Sequence, residues 1–182
     1  EDFNNSINVT AQIFESTYHV WLLAFDTSIL ESGKTYYFRY TINDGVNAAV
    51  LKGNKYFMQK NINTTLVIPA DIPLIDKVCV EEIVSLSKKY QIVITPSLNG
   101  DGTNILVRNP PNILETFYDK DSFHQHLSKI KENKLQFTVF RKFSLMLDID
   151  SPEDLFQLKD RKNNLKTYAV MKNFDIMSNI NI

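Results

Sequence analysis

An α/β fold with a mainly parallel sheet covered by helices on both faces is what this sequence predicts, on three observations. Short apolar runs alternate with stretches of helical apolar periodicity, helix-start residues follow several of the runs, and the links between elements are short and polar. At 182 residues, 43% of them hydrophobic, the chain suits a single domain over 1–182 with a substantial core.

The elements follow in order. "HVWLLAF" (19–25) and "TYYFRY" (35–40) are apolar β-type runs. "DGVNAAVLKGNKYFM" places Val46, Ala49, Val50 and Phe57 at helical spacing, which predicts a helix starting near Asn43 or Asp44. "TTLVI" (64–68) is a short buried strand, and Asp76 is the N-cap of a helix with the stripe Cys79, Ile83, Leu86, Tyr90. "QIVIT" and "ILVR" are strands on either side of "PSLNGDGTN", and Pro110 and Pro111 end the second. A helix from Asp121 carries Phe123, Leu127 and Ile130 on one face. "QFTVF" and "SLMLDI" are the last strands, "SPEDLFQL" is a helix, and the tail from Arg161 is expected to be partly helical.

Composition narrows the function classes. Twenty basic against 21 acidic residues give a net charge of −1, so no global positive field is available to hold nucleic acid. No apolar run is long enough to span a bilayer, and the single cysteine, Cys79, suits a reducing cytoplasm. Small-molecule substrates are the expected partners, and a homodimer is compatible with this reading.

Three carboxylates stand out. On a strand, Asp148 and Asp150 would face the same way with Cα atoms about 6.6 Å apart. Like charges that close raise each other's pKa unless a cation intervenes, and Mg²⁺ prefers hard oxygen ligands; a solvated pair is the alternative. Asp71 follows its strand by three residues, between Pro69 and Pro73. All three would then sit at strand ends of one sheet, where ligands of open α/β sheets bind. Ser151, Pro152, Glu153 and Asp154 form a helix start with a capping box.

The remaining candidates are ambiguous from residues alone. "NGDGTN" is a tight turn or a phosphate loop in which Thr103 and Asn104 add donors. Ser122 is a first-turn residue or an anion-binding hydroxyl. His124 and His126, two apart on a helix, do not share a face; His124 is expected to be solvated and His126 is left open.

Taken together, "PADIPLI", "DGTNILVRNPP", "DSFHQH" and "LDIDSPEDL" resemble the 2-phospho-L-lactate guanylyltransferase family of coenzyme F-420 biosynthesis. The resemblance implies a Rossmann-like nucleotidyltransferase fold. It also implies transfer of GMP from GTP to 2-phospholactate, phosphoenolpyruvate or a similar acid, with release of pyrophosphate. On it, Asp71, Asp148 and Asp150 are the catalytic, metal-binding carboxylates, with two Mg²⁺ ions expected. Thr103, Asn104, Asp119 and Ser122 face the acceptor, and Gly45 and Asn47 the nucleotide. Asp119 stands where the family often has glycine, and a carboxylate there would repel an anionic acceptor unless it points away. The family's first strand and triphosphate loop have no counterpart in this sequence, so the chain is expected to be N-terminally incomplete. A molybdenum-cofactor or sugar-phosphate nucleotidyltransferase, or a non-catalytic remnant that binds phosphate ligands or a partner, are the alternatives.

Overall fold

The computed structural model describes residues 45–158 together with the backbone of two strands, 19–25 and 36–41. In chain order these are β1 (His19–Phe25), β2 (Tyr36–Thr41), α1 (Gly45–Gln59), β3 (Thr64–Pro69), α2 (Lys77–Ser87) and β4 (Ile92–Pro96). There follow β5 (Thr103–Arg108), α3 (Ser122–Glu132), β6 (Phe137–Val139), α4 (Phe143–Met146) and α5 (Pro152–Phe156). The tail from Arg161 lies outside the described residues.

The strands form one six-stranded sheet in the order β2-β1-β3-β5-β4-β6. Alternation along the strands sorts the core into two layers. Val67, Ile92, Ile94 and Leu106 face α1 and α3, meeting Val50, Phe57, Phe123 and Ile130. Their chain neighbours Leu66, Ile68, Val93, Ile105 and Val107 face the opposite way, toward Cys79 and Ile83 of α2 and Leu145 of α4. Burial of each such side chain contributes about 1.5–3 kcal/mol, so the two apolar layers fix which helix covers which face. α2 starts where expected, with the Asp76 carboxylate accepting from Cys79 N–H at 2.7 Å.

The α/β class and the helices on both faces stand, but the strand directions are corrected. Among the described strands, only β4 and β6 are parallel neighbours; β1–β2, β1–β3, β3–β5 and β4–β5 are antiparallel. The reason is local: the turn at 97–102 is too short for a crossover, so β5 must run back along β4. β2, β3, β4 and β6 still point one way, and β1 and β5 are interleaved against them.

A second correction concerns "SLMLDI". Its first part is the one-turn helix α4, and 147–150 is irregular backbone rather than strand. Leu145 packs across the face of the sheet beside Ile105, which carries the segment away from any hydrogen-bonding edge. Leu147 and Ile149 instead join Leu74, Phe143, Leu155 and Leu158 in a small separate core.

Candidate active site

Because β5 opposes β3 and β4, its first residue lies at the rim where β3 and β4 end. Asp71 follows β3, and Thr103 and Asn104 open β5, so these residues share that rim. The 147–150 segment is tied to the same place by a hydrogen bond from Ile149 N–H to the Asp71 carbonyl at 3.1 Å. Asp148 and Asp150 thus flank a residue fastened to the third acid.

Asp150 is anchored from the other side. The Asp154 carboxylate accepts from Asp150 N–H at 3.1 Å, from Ser151 N–H at 2.8 Å and from Ser151 Oγ at 2.8 Å. Those bonds hold the Asp154 pKa below its usual value. The helix start read as structural therefore also fixes the backbone of a candidate ligand.

The three carboxylates feel one another. Desolvation raises the Asp148 pKa from 3.8 to about 6, with the charges of Asp150 and Asp71 adding to the rise and the Asn104 side chain opposing it. Asp71 keeps contact with solvent, yet desolvation by surrounding protein raises its pKa too, and Asp150 adds to that. Among the described residues no ion pair neutralises any of the three. Hard, uncompensated oxygen donors that repel one another fit a divalent cation. Among the described residues, however, no three acids or histidines stand close enough to form a finished ligand shell. The donor chemistry fits the ion.

A β-bulge links this acidic group to a cluster of hydroxyls. Thr95 pairs with Ile105 and Pro96 with Thr103, so Asn104 is the extra residue. The bulge puts Asn104 on the same face as Ile105, and strand alternation then sends Thr103 to the other face. Asn104 sends its Nδ2 to the carbonyls of Leu145 (3.1 Å) and Met146 (3.0 Å), just before Asp148. Thr103 turns toward α3, where its Oγ1 lies 3.0 Å from His126 Nδ1 and 3.2 Å from Ser122 Oγ. Thr103, Ser122 and His126 are all buried.

The turn before Thr103 is built on its own bonds. Gly100 N–H donates to Ser97 O, and Gly102 N–H to the Ser97 hydroxyl and the Asp101 carboxylate. Phe123 N–H, in the first turn of α3, donates to Asp101 O at 2.8 Å. "NGDG" is a hairpin turn whose glycine amides are engaged internally.

Of the two residues expected on the nucleotide side, Asn47 lies against Tyr118 and Asp119, the latter expected on the acceptor side. Gly45 opens α1 with φ +85°, a conformation that suits glycine. The Asn47 Oδ1 accepts from Tyr118 N–H at 2.8 Å, and its Nδ2 donates to Asp119 Oδ2 at 3.3 Å. Asp119 is solvent-exposed and directs an oxygen to Asn47. His124 is exposed, as expected.

Two features were missed. The periodicity that separates His124 from His126 also puts Ser122 and His126 at i, i+4, on one helical face, and this signal was readable. Arg108 had no signal at all: it is 2% exposed, donating from Nη1 to Leu114 O at 3.1 Å and from Nη2 to Asn54 Oδ1 at 3.0 Å. Burial pulls its pKa down to about 10, which leaves it charged at neutral pH, and that charge helps hold His126 low.

With this geometry in view, a family model described as "Guanylyl transferase CofC like" matches residues 8–181. The chain belongs to the CofC-like guanylyl transferase family. A 2-phospho-L-lactate guanylyltransferase of Methanocaldococcus sp. (strain FS406-22) is 37% identical over 142 residues, 76% of this chain and 61% of that one. The Methanocaldococcus jannaschii protein of the same name is 33% identical over 85% of this chain and 69% of its own length. A phosphoenolpyruvate guanylyltransferase of Rubrobacter xylanophilus is 31% identical over 63% of this chain and 57% of its own length. This CofC-like chain therefore spans only part of the length of those relatives. In fold it is similar to a chain described as a nucleotide-diphospho-sugar transferase from Desulfovibrio desulfuricans G20, with a TM-score of 0.61 at 15% identity, covering 72% of this chain and 60% of that one. That likeness supports the Rossmann-like nucleotidyltransferase fold of the CofC-like family.

Proposed function

We propose that the protein transfers GMP from GTP to the phosphate of a three-carbon phospho-acid, 2-phospholactate or phosphoenolpyruvate, in coenzyme F-420 biosynthesis. The observation that carries this reading is the β-bulge, which joins the Thr103–Ser122 hydroxyls and, through Asn104, the acidic group of Asp71, Asp148 and Asp150. An acceptor phosphate and a nucleotide triphosphate need two such neighbouring subsites. Family membership and the relatives' names support the same substrates.

An oxygen of the acceptor phosphate attacks the α-phosphorus of GTP, a new phosphoanhydride bond forms, and the bond to the β-phosphate breaks as pyrophosphate leaves. That oxygen is already ionised at neutral pH, so no general base is needed. Thr103 and Ser122 orient the acceptor, Asn104 secures the backbone before Asp148, and Asn47 holds Asp119 aside, while Gly45 and Asn47 are assigned to the nucleotide side by the family resemblance alone. Asp71, Asp148 and Asp150 would hold Mg²⁺, as two ions in the fullest arrangement, which supplies charge neutralisation to the transferring phosphoryl group. Positioning contributes the rest of the rate. In this role the protein acts on small-molecule substrates in the cytoplasm, with a homodimer as its proposed assembly.

The test is ³¹P NMR of the purified protein with GTP, Mg²⁺ and each acceptor in turn. Equimolar pyrophosphate and a new phosphoanhydride are expected, and Asp150→Asn should abolish both. GTP left intact beside both acceptors would refute the assignment.

A further inference from the structure

The Thr103–Ser122–His126 cluster carries an inference about proton placement. Phe117 N–H can only donate, and it points at His126 Nε2 from 2.9 Å. Nε2 must therefore present its lone pair, and the neutral imidazole carries its proton on Nδ1. That proton faces Thr103 Oγ1 at 3.0 Å, and Ser122 Oγ lies 3.2 Å from the same oxygen. Nδ1–H and two hydroxyls bring three protons to two contacts, so one hydroxyl proton is left over whichever way the Ser–Thr bond runs.

The tautomer decides the sign of the site. With the proton on Nε2 instead, Nδ1 would accept from Thr103 and Thr103 from Ser122. No hydroxyl proton would remain, and buried oxygen lone pairs would face an incoming anion. Both hydroxyls are buried, so water cannot readily correct the mismatch. The loop at 117 thereby controls the hydroxyl pair through the imidazole, and the buried charge of Arg108 disfavours a second proton on the ring.

We propose that His126 is a positioning residue that holds the Thr103–Ser122 pair as a hydrogen-bond donor toward an ionised oxygen of the acceptor. This rests on the guanylyl-transfer reading for the identity of the acceptor, but not for the proton count.

Two measurements test it. In the first, ¹⁵N–¹H NMR of the His126 imidazole, which does not depend on turnover, should report a neutral ring protonated on Nδ1; protonation on Nε2 overturns the proposal. The second is calorimetric titration with phosphoenolpyruvate. His126→Gln keeps an acceptor for Phe117 N–H but loses the donor to Thr103, whereas His126→Asn keeps an amide donor near Nδ1. The Gln variant should bind at least about tenfold more weakly, and the Asn variant within about threefold of the native protein. Thr103→Val should match the Gln loss, and adding His126→Gln to it should cost nothing further. Equal losses in Gln and Asn, or additive losses in the double variant, overturn the proposal. Should GMP transfer fail while these results hold, the donor site stands and the reaction assignment falls.

Discussion

The backbone N–H of Ile149 donates to the carbonyl of Asp71 across 3.1 Å. One bond thus fastens the loop after β3 to the segment before α5 and brings acids 77 and 79 positions apart in sequence to one rim. Desolvation at that rim, with the neighbouring carboxylate charges adding to it, raises the pKa values of Asp71 and Asp148.

Asp148→Asn should therefore stabilise the protein while ending its activity. Native Asp148 binds its proton more tightly than an unfolded aspartate, so its ionised form opposes folding as pH rises from 3.8 through about 6. Discounted for solvent screening, the relief at pH 7.5 is about 1 kcal/mol, or about 2–4 °C in Tm. A melt without divalent cations checks this; a lower Tm in the variant contradicts it.

His126 acts in the opposite sense on the acid side. Burial, helped by Arg108, pulls its pKa from 6.5 to about 4, so the unfolded chain takes up a proton that the native protein refuses. Stability from this group is complete above pH 6.5 and lost as pH falls toward 4. Denaturant titrations from pH 7 to 4 should show a shallower decline in His126→Gln than in the native protein.

Gly102→Ala should damage the acceptor side. A Cβ there would stand 3.0 Å from both Cβ and Oγ of Ser97, the hydroxyl that accepts from Gly102 N–H. Relaxing that clash shifts the turn that delivers Thr103. A loss of about 1–3 kcal/mol in stability is expected, with weaker acceptor binding and an unchanged KM for GTP as the kinetic check.

Arg108→Lys should be costly despite keeping the charge. An ammonium cannot reproduce the planar fork to Leu114 O and Asn54 Oδ1, and it stays buried without a carboxylate. The expected loss is about 2–4 kcal/mol, measured by denaturant unfolding; a neutral result would contradict the buried-fork reading.

Much of this was legible in the sequence because it depends on local chemistry. Asp76 caps α2 and Ser151 with Asp154 starts α5, since both signals lie within one helical turn. What was misread depended on distant partners. Leu145, Leu147 and Ile149 alternate like a strand, but Leu145 is drawn under the sheet and the other two into a separate core. The antiparallel β5 was readable from "NGDG", a turn too tight for a crossover. Thr103 and Ser122 do meet, whereas the bulge that turns Asn104 to the face of Ile105 leaves no mark in residue type.

The central claim is that Asp71, Asp148 and Asp150 act together on a divalent cation. Mn²⁺ titration followed by electron paramagnetic resonance, with GTP present, tests it most directly on the native protein and on Asp71→Asn, Asp148→Asn and Asp150→Asn. The account predicts saturable binding that each substitution weakens by at least about tenfold. Native-like binding in all three variants would contradict it.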